Sequence, residues 1–126
     1  MQTHAQVVVI GGGVVGCSVL YHLARFGCRD AVLLERDELT SGSTWHAAGG
    51  MHTINGDPNV AKLQQYTIEL YKEIEAISGV SCGVHITGGL MLAGTPERVD
   101  WLRMAVARGR YLGMDLQLIS APEAKK

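Results

Sequence analysis

The 126-residue sequence has few cysteines, and their number and spacing argue against both a disulfide-stabilised scaffold and a cysteine-based metal site. Its three cysteines, Cys17, Cys28 and Cys82, form no Cys-x-x-Cys pair, and an odd, widely spaced set argues against a disulfide scaffold. We therefore expect reduced, buried thiols of the kind found in a cytosolic protein. The five histidines also lack metal-ligand spacing with one another or with cysteine, so the sequence predicts no metal site.

The sequence also lacks an excess of charge of one sign and a long hydrophobic run. Lysine and arginine number 11 against 12 acidic residues, and the basic residues are scattered, so no nucleic-acid partner is predicted. The longest apolar run, over residues 7–20, is broken by glycine and serine and has no basic leader, which predicts neither a signal peptide nor a membrane partner. Because Met1 lies shortly before the first predicted strand, we expect no transit peptide and a cytoplasmic location.

Glycine, in contrast, is abundant, with 16 residues, and several of them form a dinucleotide-binding fingerprint. A β-branched strand over residues 6–10 leads into the G-x-G-x-x-G pattern, which is followed by an amphipathic helix and a second strand. Gly11 permits the tight turn, Gly13 lets the backbone approach a pyrophosphate, and Gly16 lets the helix pack on the sheet. Val14 and Val15 belong to the first helical turn, whose N–H groups face the phosphates.

The second strand, over residues 31–35, ends in an acidic residue, as a dinucleotide-binding βαβ unit requires. Glu35 can accept hydrogen bonds from an adenosine ribose, and its negative charge disfavours the 2′-phosphate of NADP. Arg36 is predicted to bind the cofactor beside it. At this point FAD and NAD both stay open, because each brings an ADP half to the same place. The simpler alternative is an ordinary turn between a strand and a helix.

Residues 40–50 form a segment so rich in Gly, Ser and Ala that only Trp45 and His46 are large. Such a segment lets backbone N–H groups approach a flat ligand closely. Ser43 and Thr44 either donate hydrogen bonds to the pyrophosphate or form a polar turn, and we favour the first. Trp45 either stacks near a cofactor ring or fills core space, which is the commoner role of tryptophan.

Beyond residue 50 the regular strand–helix alternation of an NAD-binding domain is not continued, which favours a flavin. Two parallel strands are also too few for a doubly wound sheet, so we interpret the chain as the N-terminal part of a longer protein. The predicted elements are a helix over 58–78 capped by Asp57 and ended by Gly79, a hairpin over 82–93, a helix from Pro96 to about Leu112 capped by Thr95 and ended by Gly113, a strand over 115–119, and a helix starting at the capping box Ser120–Glu123.

The sequence resembles the N-terminal part of the FAD-dependent dimethylglycine and sarcosine dehydrogenases, within the wider D-amino-acid-oxidase-like flavoproteins. The residues that carry this resemblance are 7–16, 33–36, 39–49 and 88–93. The resemblance implies an α/β fold with an incomplete sheet. A Rossmann-like FAD-binding βαβ unit and flavin loop would occupy residues 1–50, and residues 51–126 would lead into the start of a substrate domain.

The same resemblance implies that FAD is bonded covalently through a ring nitrogen of His46. Such a bond needs a neutral imidazole, since the protonated ring has no lone pair to offer. The simpler alternative is that His46 caps a helix end or lies partly exposed in a loop. Ala48 and Gly49 complete the set of residues implied to bind the cofactor.

The implied reaction is demethylation of an N-methyl amino acid, such as dimethylglycine or sarcosine, by hydride transfer to FAD. The implied electron acceptor is an electron-transfer flavoprotein or oxygen. No catalytic residue is assigned, and we expect these 126 residues alone to be inactive. An NAD-dependent dehydrogenase fragment and a non-catalytic, truncated dinucleotide-binding module are the alternatives.

Overall fold

The computed structural model describes residues 3–125, and the chain divides after Gly49 into two compact units. The first unit contains β1 (Val7–Ile10), α1 (Val14–Arg25) and β2 (Ala31–Leu34). The second contains α2 (Pro58–Ser78), α3 (Pro96–Tyr111) and a 3₁₀ turn at Glu123–Lys125. The roles expected for residues 1–50 and 51–126 stay predictions.

The first unit is a βαβ unit with a parallel sheet, as the fingerprint predicts. Val7 pairs with Ala31 and Ile10 with Leu34, and α1 connects the two strands. Helix α1 ends before Gly27, which adopts the left-handed conformation that a glycine tolerates. The described residues therefore form an α/β fold with a two-stranded, incomplete sheet, and the predicted fold class is confirmed.

The second unit is built on two helices whose ends follow the predicted capping residues. The Asp57 side chain accepts the N–H groups of Asn59 at 2.7 Å and Val60 at 3.0 Å, and Gly79 ends α2 at φ 69°. The Thr95 hydroxyl accepts the N–H of Arg98 at 3.4 Å at the start of α3. The core is small, and its buried apolar side chains within residues 3–125 are Ala61 and Leu70 of α2.

Three predicted elements of the second unit are wrong or reduced. Residues 82–93 and 115–119 are irregular, and neither segment pairs as a strand with any residue that the structure describes. An isolated hairpin is marginal in water because too few neighbouring strands cover its apolar face, and Ile86 and Leu92 are indeed exposed. The capping box forms, since the Glu123 carboxylate accepts the N–H and the hydroxyl of Ser120 at 2.8 and 2.6 Å, but only the 3₁₀ turn follows.

The thiols are less buried than expected. Cys17, Cys28 and Cys82 are free, but Cys82 is exposed and the other two are half-buried. Among residues 3–125 no helix is both long and apolar enough to cross a membrane.

Candidate dinucleotide-binding site

The turn from β1 into α1 depends on two glycines that lie against each other. Gly11 adopts φ 104°, and its N–H donates to the Leu34 carbonyl at 2.8 Å, which ties the turn to β2. A Cβ on Gly16 would lie only 1.9 Å from the Gly11 carbonyl oxygen. Helix α1 therefore packs directly on the turn, while nothing lies within 4 Å of the Cβ position of Gly11. This arrangement matches the steric roles that the fingerprint predicts for both glycines.

The N-terminus of α1 has no side-chain cap from its own segment. Gly13 is the extended cap residue, and the first turn of α1 holds no acidic residue. The N–H of Val14 instead donates to Thr44 Oγ1 at 3.0 Å. The other first-turn N–H groups, including that of Val15, have no carbonyl four residues earlier in the helix, so this end of α1 favours an anion such as a phosphate.

The Glu35 carboxylate accepts three backbone hydrogen bonds. Oε2 accepts the N–H of Gly12, and Oε1 accepts those of Arg36 at 2.7 Å and Asp37 at 3.1 Å. These bonds, chiefly that from Gly12, hold the pKa of Glu35 below its ordinary value of 4.5. A carboxylate offers about four acceptor positions, so only part of its capacity is left for a ribose hydroxyl. The sequence alone predicts that Glu35 binds a ribose. It does not indicate that the Glu35 carboxylate also accepts backbone hydrogen bonds from Gly12, Arg36 and Asp37.

Gly12 is a site residue that the sequence reasoning missed. It is buried, and a Cβ at this position would lie 2.5 Å from Leu39 Cδ2 and 3.1 Å from the Glu35 side chain. Its carbonyl accepts the N–H of Thr40 at 3.0 Å. The available signal was the unbroken run of three glycines, of which the fingerprint itself uses only two.

The segment 40–50, here called the flavin loop, is a series of tight turns. The N–H groups of Trp45, His46 and Ala47 donate to the carbonyls of Thr40, Ser43 and Thr44, at 3.1, 3.2 and 3.3 Å. Thr40 adopts φ 66°, which is unusual for a β-branched residue and persists only where surrounding contacts fix it. The N–H of Thr40 bonds to Gly12, so the loop begins against the fingerprint.

The side chains of the flavin loop are mostly exposed. Trp45 is 78% exposed, so the alternative in which it fills core space is wrong. Ser43, Ala48 and Gly49 are exposed as well, whereas Thr44 is half-buried.

The His46 ring is exposed and its orientation is fixed by one contact. Nδ1 lies 2.9 Å from the Gly42 carbonyl oxygen. Because a carbonyl oxygen can only accept, Nδ1 carries the proton, and in the neutral ring Nε2 then holds the lone pair.

The second unit contains an apolar cavity of its own, lined in part by Met91, Trp101 and Met104. The Arg98 guanidinium lies 4.9 Å from the Trp101 ring centroid, and Arg108 Nη1 donates to the Gly56 carbonyl at 3.3 Å. No group of three or more potential metal ligands occurs in the described part of the chain.

Comparison with known proteins identifies the family. Residues 6–126 match the family described as FAD dependent oxidoreductase. Rat mitochondrial dimethylglycine dehydrogenase is 45% identical over 119 residues, which are 94% of this chain and 14% of the rat protein. Human mitochondrial sarcosine dehydrogenase is 40% identical over 122 residues, 96% of this chain and 13% of the human protein. The crystal structure of L-proline dehydrogenase from P. horikoshii aligns with a TM-score of 0.86 at 28% identity, covering 99% of this chain and 33% of that one.

These matches bear on three expectations. The chain spans about one seventh of the rat and human relatives. Their mitochondrial names do not fit a strictly cytoplasmic location. The family match supports FAD over NAD, and the resemblance to the dimethylglycine and sarcosine dehydrogenases is confirmed. The chain belongs to the FAD dependent oxidoreductase family.

Proposed function

We propose that this chain is the FAD-binding part of an oxidoreductase that demethylates an N-methyl amino acid similar to dimethylglycine or sarcosine. The observation that carries the proposal is the joint geometry of the glycine turn and the flavin loop, which meet where Thr44 contacts the first turn of α1. The names of the rat and human relatives supply the substrate class. Residues 51–126 would begin the substrate domain.

The residues at the glycine turn fit the ADP half of FAD. The turn is bare of side chains at Gly11, and the first turn of α1 offers N–H groups to a pyrophosphate. We assign the pyrophosphate to backbone N–H groups and loop hydroxyls, and the ribose to the remaining acceptor capacity of Glu35. The proposed cofactor-binding residues are Gly11, Gly13, Val14, Val15, Gly16, Glu35, Arg36, Ser43, Thr44, His46, Ala48 and Gly49.

His46 is the proposed covalent attachment point. Its Nδ1–H bond to Gly42 leaves Nε2 as the nitrogen with a free lone pair, so Nε2 is the atom that we expect to bond to the flavin. The small residues Ala48 and Gly49 that follow it leave room for a flat ring system close to the backbone. The role of His46 is thus to fix the cofactor's position.

When bound, FAD supplies the hydride acceptor for the amine oxidation. This chain binds and orients the cofactor, and no residue within 3–125 is proposed to touch the substrate. The amine has to lose its proton before it reacts, because a protonated nitrogen has no lone pair. An electron-transfer flavoprotein or oxygen is the proposed final acceptor. The cytoplasmic location stays a prediction that the names of the relatives do not favour.

The test is the visible spectrum of the protein, expressed from its complete reading frame, before and after acid precipitation. We expect a yellow protein whose colour stays in the precipitate, while His46→Ala releases its flavin to the supernatant. His85→Ala, an exposed histidine of the second unit, is the matched control and keeps the colour in the precipitate. A colourless wild-type protein would overturn the proposal in favour of a non-catalytic module. Wild-type flavin that is fully released would overturn the tether alone.

The substrate class is tested separately by anaerobic mixing. Dimethylglycine or sarcosine should bleach the flavin absorbance, and glycine, which has no N-methyl group, should not. Bleaching by L-proline alone would show that the proposed substrate class is wrong.

A further inference from the structure

Helix α1 needs a partner for its first-turn N–H groups that its own segment does not supply. Its cap residue, Gly13, has no side chain, and no acidic residue lies in its first turn. Ser, Thr, Asp and Asn are the strongly preferred residues at the position immediately before a helix, because their side chains accept these N–H groups. Here the acceptor is a hydroxyl that lies thirty positions later in the sequence, that of Thr44.

The contact between Thr44 and α1 is closely fitted. Thr44 Oγ1 accepts the Val14 N–H at 3.0 Å, and a Cβ on Gly13 would lie 3.0 Å from the same oxygen. Thr44 is half-buried, whereas its neighbours Ser43 and Trp45 are exposed. The missing side chain of Gly13 thus leaves room for the hydroxyl of Thr44.

The turns of the flavin loop connect this contact to the His46 ring. The Thr44 carbonyl accepts the N–H of Ala47, the residue that follows His46. Thr44 therefore bonds to α1 through its side chain and to Ala47 through its backbone. Restraining Thr44 therefore restrains the backbone on both sides of His46.

We propose that Thr44 is a positioning residue, which caps α1 and thereby holds the flavin loop and His46 in place before the cofactor binds. The inference rests on the proposed function for the role of His46. The Thr44 hydroxyl accepts from Val14 with its oxygen and keeps its own proton, which it donates to an anionic oxygen at the same helix end. One side chain then joins the phosphate end of the site to the flavin end.

The first test needs no cofactor and follows backbone amide hydrogen exchange by NMR in the protein without added FAD. Thr44→Val removes the hydroxyl at nearly constant shape, and we expect exchange at Val14 and at Ala47 to rise by roughly tenfold. Thr44→Ser keeps the hydroxyl and should retain wild-type exchange. Thr67→Val is the matched control, because the Thr67 hydroxyl donates to the Leu63 carbonyl within α2 at 2.8 Å. Faster exchange at Val14 with unchanged exchange at Ala47 would overturn the inference, since Thr44 would then cap the helix without positioning the loop.

The second test measures the rate at which added FAD becomes resistant to acid release, with FAD in excess. Thr44→Val should slow covalent attachment roughly tenfold, a change that corresponds to the loss of one helix cap. Thr44→Ser should restore the rate, and Thr67→Val should not alter it. Attachment at the wild-type rate in Thr44→Val would overturn the inference while leaving the proposed function intact. If wild-type protein binds no FAD, the proposed function fails and the exchange measurements alone decide the role of Thr44.

Discussion

Replacing Gly16 with alanine sets helix propensity against close packing at the glycine turn. Propensity alone predicts that Gly16→Ala stabilises α1 by about 1 kcal/mol, because glycine is a poor helix former. The structure predicts instead that Gly16→Ala destabilises the fold. The new Cβ would lie 1.9 Å from the Gly11 carbonyl oxygen, so helix and turn would have to separate by roughly 1.5 Å to reach an ordinary contact.

The free-energy cost of separating α1 from the glycine turn depends on the backbone contacts that the turn makes. The atom in the way is backbone, so it cannot rotate aside, and moving it strains the Gly11 N–H bond to Leu34 at 2.8 Å. Overpacking costs about 1–3 kcal/mol, and losing the bond adds about 1 kcal/mol. After the gain in propensity is subtracted, we expect Gly16→Ala to destabilise the fold by about 2 kcal/mol.

Gly109, in α3, is the matched control. A Cβ there would lie 2.1 Å from Leu116 Cδ1, but Leu116 belongs to an irregular segment and its flexible side chain can turn away. We therefore expect Gly109→Ala to change stability by less than about 1 kcal/mol. Urea unfolding of both variants gives the comparison. A Gly16→Ala protein as stable as wild type would refute the reasoning, because close packing would then not be what requires glycine at position 16.

Three further predictions concern a carboxylate and two helix ends. The stabilisation from the lowered pKa of Glu35 is complete above its ordinary 4.5 and is lost as pH falls through the folded pKa. Wild type should therefore lose more stability on acidification than Glu35→Gln, as denaturant titrations between about pH 3 and pH 6 will show. Asp57→Ala removes the cap that accepts two N–H groups and should cost about 1 kcal/mol in urea unfolding, whereas Asp57→Asn should cost little. Gly79→Ala places a side chain at φ 69° and should lower the melting temperature by circular dichroism, with a cost of about 1 kcal/mol.

The parts of the fold that the sequence predicts correctly are those determined by neighbouring residues. Asp57 and Pro58 start α2, and Gly79 ends it, because a capping side chain and a left-handed glycine act within one turn of the chain. The βαβ unit is predictable for the same reason. Its glycine turn, its helix and its two parallel strands follow one another within the first unit.

The predicted strands fail because strand formation depends on distant partners. The segments 82–93 and 115–119 contain the short apolar stretches typical of strands, but no described residue pairs with them. Sequence periodicity indicates which face of a strand is apolar and says nothing about what supplies the neighbouring ladder. Leu92, 79% exposed, is an apolar side chain of such a segment without a core to join.

The residues of the candidate site can be selected one by one from the sequence, and their cofactor-binding roles stay predictions, but the contacts that connect them could not be foreseen. The fingerprint, Glu35 and the flavin loop can each be found from local patterns. The bonds that unite them join residues far apart in sequence, as Gly12 does with Glu35 and Thr40, and Val14 with Thr44. These contacts use backbone groups of the fingerprint that sequence reasoning assigns to cofactor binding alone. Hydrogen bonds within the protein therefore preorganise the glycine turn, and under the proposed function FAD binding should require little rearrangement of it.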